Sequence, residues 1–195
     1  MIKLPPIAKY SRADIIAAAL NLVRKAEEIT ARGLGAELGT STRPIFTAFR
    51  NMEEVQRETV LAARALYNGY VERGLAEENA FKGVGMQYIA FAREEPGLFR
   101  LLFMTAYKAP FDLDNVLPAI DENSDKILAS IQNAYGLSWE LSYRLYQNLW
   151  IFTHGIACLY ATGVSRLTEE EVSARLTEVF TGLLIIIKKE VKKND

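Results

Sequence analysis

Residues 30 to 49 run TARGLGAELGTSTRPIFTAF, the spacing of two short helices set around a tight turn. Thr30 is placed to cap a first helix through Leu38, Gly39 supplies the turn, and Ser41 is placed to cap a second. Pro44 falls in the first turn of that second helix, where its missing N–H is not needed. A helix-turn-helix needs a small residue in its first helix, a glycine four positions on for the left-handed turn, and a branched apolar residue to lock the pair. Gly35, Gly39 and Ile45 stand in that order. Leu34, Leu38 and Phe49 would complete a miniature core.

That core needs a partner, and the preceding segment offers one. Ser11 is a plausible cap for a helix over roughly 12 to 25, whose Ile15, Ala19 and Leu22 fall on one face. Packed this way, the second helix of the pair projects Thr42, Arg43, Phe46, Thr47 and Arg50 outward, as a recognition helix does toward a major groove. Arg43 could reach a guanine edge or a phosphate, and Thr42 and Thr47 a phosphate or a thymine methyl. An ordinary helical hairpin with a glycine turn has the same spacing.

Downstream the pattern stays helical and nothing alternates as a strand. Helices are expected over about 53 to 73, 79 to 94, 98 to 107 after a break at Pro96 and Gly97, 115 to 135, 138 to 162 and 168 to 192. The fold class is therefore all-α, with about nine helices. No flexible linker follows Asn51, so the division falls at a change of job along a continuous helical framework. Residues 1–52 form a three-helix helix-turn-helix unit and 53–195 a larger helical domain for ligand binding and dimerisation.

Composition agrees with a globular protein: of 195 residues, 50% are hydrophobic and 24% charged. Charge is uneven. Up to residue 52 eight Lys or Arg face four acids, a balance of +4 within an overall −1. A basic front is what a polyanion would meet. The single cysteine excludes an intrachain disulfide, no segment reads as a secretory signal, and no apolar run reaches the roughly 20 residues of a membrane span. A cytoplasmic protein with no membrane association is expected.

The succession SRADIIAAALNLVRKA, then ITARGLGAELGTSTRPIFTAFRNMEEV, resembles the amino-terminal DNA-binding region of the tetracycline-repressor (TetR) family of bacterial transcription regulators, over about residues 10 to 60. Thr30, Gly39, Ser41, an aromatic at Phe46 and Phe49 match that family, and EEPGLFRLLF and LWIFTHGIACL are similar to a subgroup of it. The sequence departs from the pattern twice: the family usually carries a tyrosine at Phe46, bonding a phosphate, and a lysine at Met52. Lys9, Arg32, Arg43 and Arg50 remain to supply phosphate contacts. The resemblance implies a homodimer on a near-palindromic double-stranded DNA operator, with two recognition helices about 34 Å apart. It implies DNA contacts by Lys9, Thr30, Arg32, Ser41, Thr42, Arg43, Phe46, Thr47 and Arg50.

The helix over 138 to 162 is apolar nearly all round, and that over 168 to 192 carries Val172, Leu176, Val179, Phe180, Leu183, Leu184 and Ile187 at helical spacing. By the resemblance these two helices pair with their symmetry mates; a simple monomeric core is the plainer reading. Tyr88, Phe91, Phe103, Met104, Tyr107, Tyr146, Trp150 and His154 mix apolar walls with polar tips, the mixture a small-molecule chamber needs. No nucleophile with a nearby base is recognisable, no phosphate loop follows a strand, and His154 with Cys158 lacks a third metal ligand. No cofactor and no enzymatic activity are expected. The expectation is a regulator, most simply a repressor, released from DNA by a mostly apolar ligand. The rival is a helical dimer that binds a small molecule or partner and has lost specific DNA binding.

Overall fold

The computed structural model describes residues 10–105 and 116–194. Among them are ten helices and no strand: α1 (Arg12–Arg24), α2 (Ala31–Glu37), α3 (Arg43–Ala48), α4 (Met52–Leu75), α5 (Ala80–Glu94), α6 (Pro96–Phe103), α7 (Val116–Ile120), α8 (Ser124–Tyr135), α9 (Trp139–Ala161) and α10 (Glu169–Asn194).

Local chemistry sets the helix starts. The Ser11 side chain accepts from the Asp14 N–H while the Asp14 carboxylate accepts from the Ser11 N–H, a reciprocal cap that holds the Asp14 carboxyl below its ordinary range. Thr30 Oγ1 accepts from the Gly33 N–H at 3.0 Å and opens α2. The start of α3 differs from expectation, because its cap is Thr42, not Ser41, and no side chain bonds there. Pro44 has removed one of the two N–H groups a cap would satisfy, and the Ile45 N–H turns to the Thr42 carbonyl at 3.2 Å. Asn51 accepts from the Glu54 N–H and starts α4.

Two other boundaries move. Pro96 and Gly97 are the first residues of α6 and do not separate it from its own start, since proline is tolerated in a first turn. The single helix expected over 115 to 135 is two, α7 and α8, parted at Asp121–Asn123. There the Asp121 carboxylate accepts from both the Asn123 N–H at 2.8 Å and the Asn123 side-chain amide at 3.2 Å, a local competitor to helical bonding. The helix count rises to ten for that reason.

Two buried clusters divide the chain along α4. The front cluster joins Ile15, Ala18, Ala19 and Leu22 of α1 to Leu34, Ile45, Phe49 and Val55. Gly39 turns at φ +63°, and a Cβ on Gly35 would lie 2.9 Å from the Thr40 carbonyl oxygen, so both glycines are needed for so close a turn. The rear cluster begins at Ala63 and gathers α4 to α10 around Tyr67, Phe91, Phe99, Leu145 and Ile131. Near its end α4 crosses α5 backbone to backbone, for a Cβ on Gly74 would meet the Val84 nitrogen at 2.6 Å and one on Gly83 the Gly74 carbonyl oxygen at 2.4 Å. Among the described residues no helix is long and apolar enough to cross a membrane.

Candidate DNA-reading face and ligand chamber

Packing of Ile45 and Phe49 inward turns the other side of α3 out. Ser41, Thr42, Arg43, Phe46, Thr47 and Arg50 are all exposed, as are Thr30 and Arg32 on α2; Lys9 lies outside the described residues. Ser41, Arg43 and Thr47 border one shallow hollow together with Tyr10, Arg12 and Pro44. Thr47 donates to the Arg43 carbonyl at 2.9 Å, which leaves its oxygen to accept and commits its proton. None of Arg32, Arg43 and Arg50 forms an ion pair among the described residues. Phe46 presents a bare ring, 52% exposed, and Met52 packs half-buried against the front cluster, so apolar groups stand at both positions where the resembling family carries polar ones.

Other cations of the front serve the fold. Arg12 donates to the Ala48 carbonyl at 2.7 Å and to Glu54 at 2.9 Å, and its guanidinium lies 4.0 Å above the Phe49 ring. Glu54 also accepts from the Arg50 N–H at 2.7 Å, and these donors, the Arg50 N–H foremost, hold its carboxyl below the usual carboxylate range. Lys25 reaches Glu37 at 2.5 Å. Arg12 and Glu54 carry no spacing signal in the sequence, because the two partners lie 42 positions apart.

Front and rear meet where α1 passes α6. Arg24 makes a two-pronged pair with Glu95, both contacts 2.8 Å, and a Cβ on Gly97 would sit 2.3 Å from the Val23 carbonyl oxygen. The two helices therefore touch with no side chain between them.

Behind the junction lies a nest of rings. Neighbouring rings among Tyr67, Tyr88, Phe91, Phe99 and Phe103 stand 5.0 to 6.5 Å apart by centroid, half of the pairs edge to face and half tilted. The Tyr88 hydroxyl bonds His154 Nδ1 at 2.9 Å, Trp150 stacks on the same imidazole at 5.0 Å, and Cys158 Sγ lies 3.4 Å from Nε2. Burial pushes the His154 pKa down and that of Cys158 up. No cluster of three metal-ligating side chains occurs among the described residues.

Two adjoining cavities open beyond these rings. The outer one, about 240 Å³, lies between α5, α8, α9 and α10 and is walled by Phe81, Tyr135, Leu149, Leu176 and Phe180. The inner one, about 30 Å³, is walled by Tyr67, Tyr88, Tyr146, Trp150 and Asp121. Phe81, Gly85, Leu149 and Thr153 border both, forming a neck. A larger groove of about 760 Å³ near the start of α10 mixes Arg73, Lys82 and Arg93 with Glu77, Glu169 and Glu170; it is open, and charged and apolar groups share its walls. Of the expected chamber residues, Tyr88, Tyr146 and Trp150 reach the inner cavity. Phe91 and Phe103 fill the ring nest, His154 backs the wall, and Met104 is 42% exposed at the end of α6. Tyr107 lies outside the described residues. Asp121, Tyr67 and Phe180 also wall the cavities, and no spacing in the sequence marks them for that place.

Among the described residues the chain is thus an all-helical bundle with a turned helical pair at one end and two aromatic-walled cavities at the other. The family model of the tetracyclin repressor-like C-terminal domain matches residues 81–183, the stretch that carries most of the residues walling the two cavities. That stretch is more than half of the sequence, and the chain belongs to the tetracycline-repressor family. No curated protein matches it.

Proposed function

We propose that this chain is a cytoplasmic, ligand-responsive transcriptional regulator and not an enzyme, a homodimer that binds a near-palindromic operator and leaves it when a mostly apolar ligand fills the rear chamber. Residues 1–52 are the reading unit and 53–195 the sensing and dimerising one. The observation that carries the reading is the exposed set Ser41, Thr42, Arg43, Phe46, Thr47 and Arg50, on α3 and immediately flanking it, with the other side of α3 fixed in the front cluster. Arg43 and the threonines supply base and phosphate contacts, and the exposed Phe46 ring offers apolar contact to a thymine methyl or a sugar.

Pairing of protomers is supported by apolar residues that one chain leaves uncovered on its last two helices. Ile151 and Leu159 of α9 and Ile185 and Ile186 of α10 are 38% to 54% exposed. A two-fold dimer through such faces sets two α3 helices on successive major grooves. Release is a population shift, so the ligand must prefer the conformation that spaces the α3 helices wrongly. The α1–α6 contact and the shared α4 are the parts that connect the two ends.

Selection from random duplex DNA by the purified protein, followed by affinities at several salt concentrations, tests this. An enriched palindrome, bound with a steep salt slope, is the expected result. Arg43→Ala is expected to weaken specific binding by about 1–3 kcal/mol with dimerisation intact. Failure to enrich any sequence would favour the rival reading, a small-molecule-binding dimer without an operator.

A further inference from the structure

We propose that the two adjoining cavities hold an elongated apolar amine, with its ammonium against Asp121 in the inner cavity and its hydrocarbon toward Phe180 in the outer one. This rests on reading the rear domain as a ligand sensor, and it names the class of ligand sensed.

Asp121 carries the inference. It is 6% exposed, it borders the inner cavity, and every described group that bonds its side chain is a neutral donor: the Tyr67 hydroxyl at 2.5 Å, the Asn123 N–H at 2.8 Å and the Asn123 amide at 3.2 Å. Among the described residues no lysine or arginine pairs with it. A buried carboxylate whose described partners are all neutral dipoles gains most from a cation brought beside it, because charge interactions are strong where water is excluded. A second carboxylate in the same place would be repelled, and a neutral hydroxyl would add one hydrogen bond at most.

The surrounding walls favour the same guest. Tyr67, Tyr88, Tyr146, Trp150 and Phe81 ring the inner cavity, and aromatic faces attract cations. Burial first, then the Asp121 charge, pushes the Tyr67 and Tyr146 hydroxyls well above the ordinary phenol range, which keeps these walls neutral. At about 30 Å³ the inner space suits a head the size of one water, an –NH₃⁺ group and not a quaternary ammonium. The outer space is eight times larger and walled by Phe81, Leu149, Leu176 and Phe180, so it takes an alkyl chain or ring. Lys82, exposed at the outer rim, repels an ammonium left at the mouth and so sets the direction of entry.

Calorimetric titration of the full chain with decylamine, decanol and decanoate, each below its micelle concentration and in the absence of DNA, tests the assignment. Decylamine is expected to bind more tightly than decanol and at least about tenfold more tightly than decanoate. In Asp121→Asn the advantage of the amine over the alcohol should disappear, with the fold checked by circular dichroism. Gly85→Leu is the second variant. A Cβ there would lie an ordinary 3.8 Å from Leu176, so the longer side chain fills the neck on a helix that gains propensity, and amine binding should be lost with Asp121 in place. Decanoate binding as tightly as decylamine, an amine preference that survives Asp121→Asn, or amine binding unaffected by Gly85→Leu would each overturn the ligand class. An amine preference as expected, with no effect of the amine on operator affinity, would support the ligand class and overturn only the regulatory reading.

Discussion

The front and rear of this molecule keep their interiors in opposite ways. The front cluster is eight buried side chains with one ring, Phe49, and every constraint around it is tight: a turn at Gly39, a backbone approach at Gly35, a brace from Arg12. The rear cluster has more than three times as many buried residues and many rings. It also encloses a buried carboxylate, a hydroxyl on Ser142 with no partner among the described residues, and two cavities. Close packing permits one arrangement, whereas space and buried polar groups permit several. A reading surface wants the first property and a sensor the second.

That contrast can be broken experimentally. The largest expected effect is in the front: Ile45→Ala should cost about 2–5 kcal/mol, since so small a core has little to close over the gap. Thermal melting of this variant beside Phe103→Leu, whose ring borders the looser nest, should show the front change to be the greater. At the junction, Gly97→Ala forces a methyl against the Val23 carbonyl and should cost about 1–3 kcal/mol, read as a lower melting temperature. Its second signature is ligand binding with weakened release of DNA. If release is untouched, the two halves communicate by α4 and not through this contact.

A smaller effect follows from pH. Burial lowers the His154 pKa from its ordinary 6.5, so below that value the unfolded chain binds more protons than the native one. Stability should be level above about pH 6.5 and fall as pH drops toward the native pKa, with a slope no steeper than about 1.4 kcal/mol per pH unit. His154→Gln should flatten the fall between pH 6.5 and 5, above the range where Glu37 and Glu54 titrate; melting curves across that interval decide it. Smallest is Ser142→Ala, expected to be neutral or to gain up to about 1 kcal/mol by removing a buried hydroxyl that has no partner among the described residues.

The same division governs what could be read from residues alone. The front was legible because its determinants are local: Gly35, Gly39 and Ile45 lie within eleven positions, and the capping of α1 and α2 within four each. Ser41 looks like a cap by residue type, but Pro44 takes away an N–H that a capping side chain would bind, and α3 starts from Thr42. In the rear, apolar periodicity marked the helices and the mixed aromatics marked a chamber. It did not separate the rings that fill space from the rings that border it. Asp121 was invisible as a wall residue because its partner Tyr67 is 54 positions away, and its hold on Asn123 also broke a helix that periodicity alone joined. Tyr67, in turn, sits on a helix whose pattern predicts burial and nothing of the bond it makes.

The Gly74–Gly83 crossing has a mechanical consequence. It pins one end of α4 to α5 with no side chain to act as a cushion, while the other end, at Met52, follows directly on α3. The helix between them is a rigid arm of roughly 33 Å with its fulcrum at the glycines. A tilt of about 5° there, too small to disturb the packing around it, sweeps the far end through about 3 Å, a large fraction of the spacing between neighbouring base pairs.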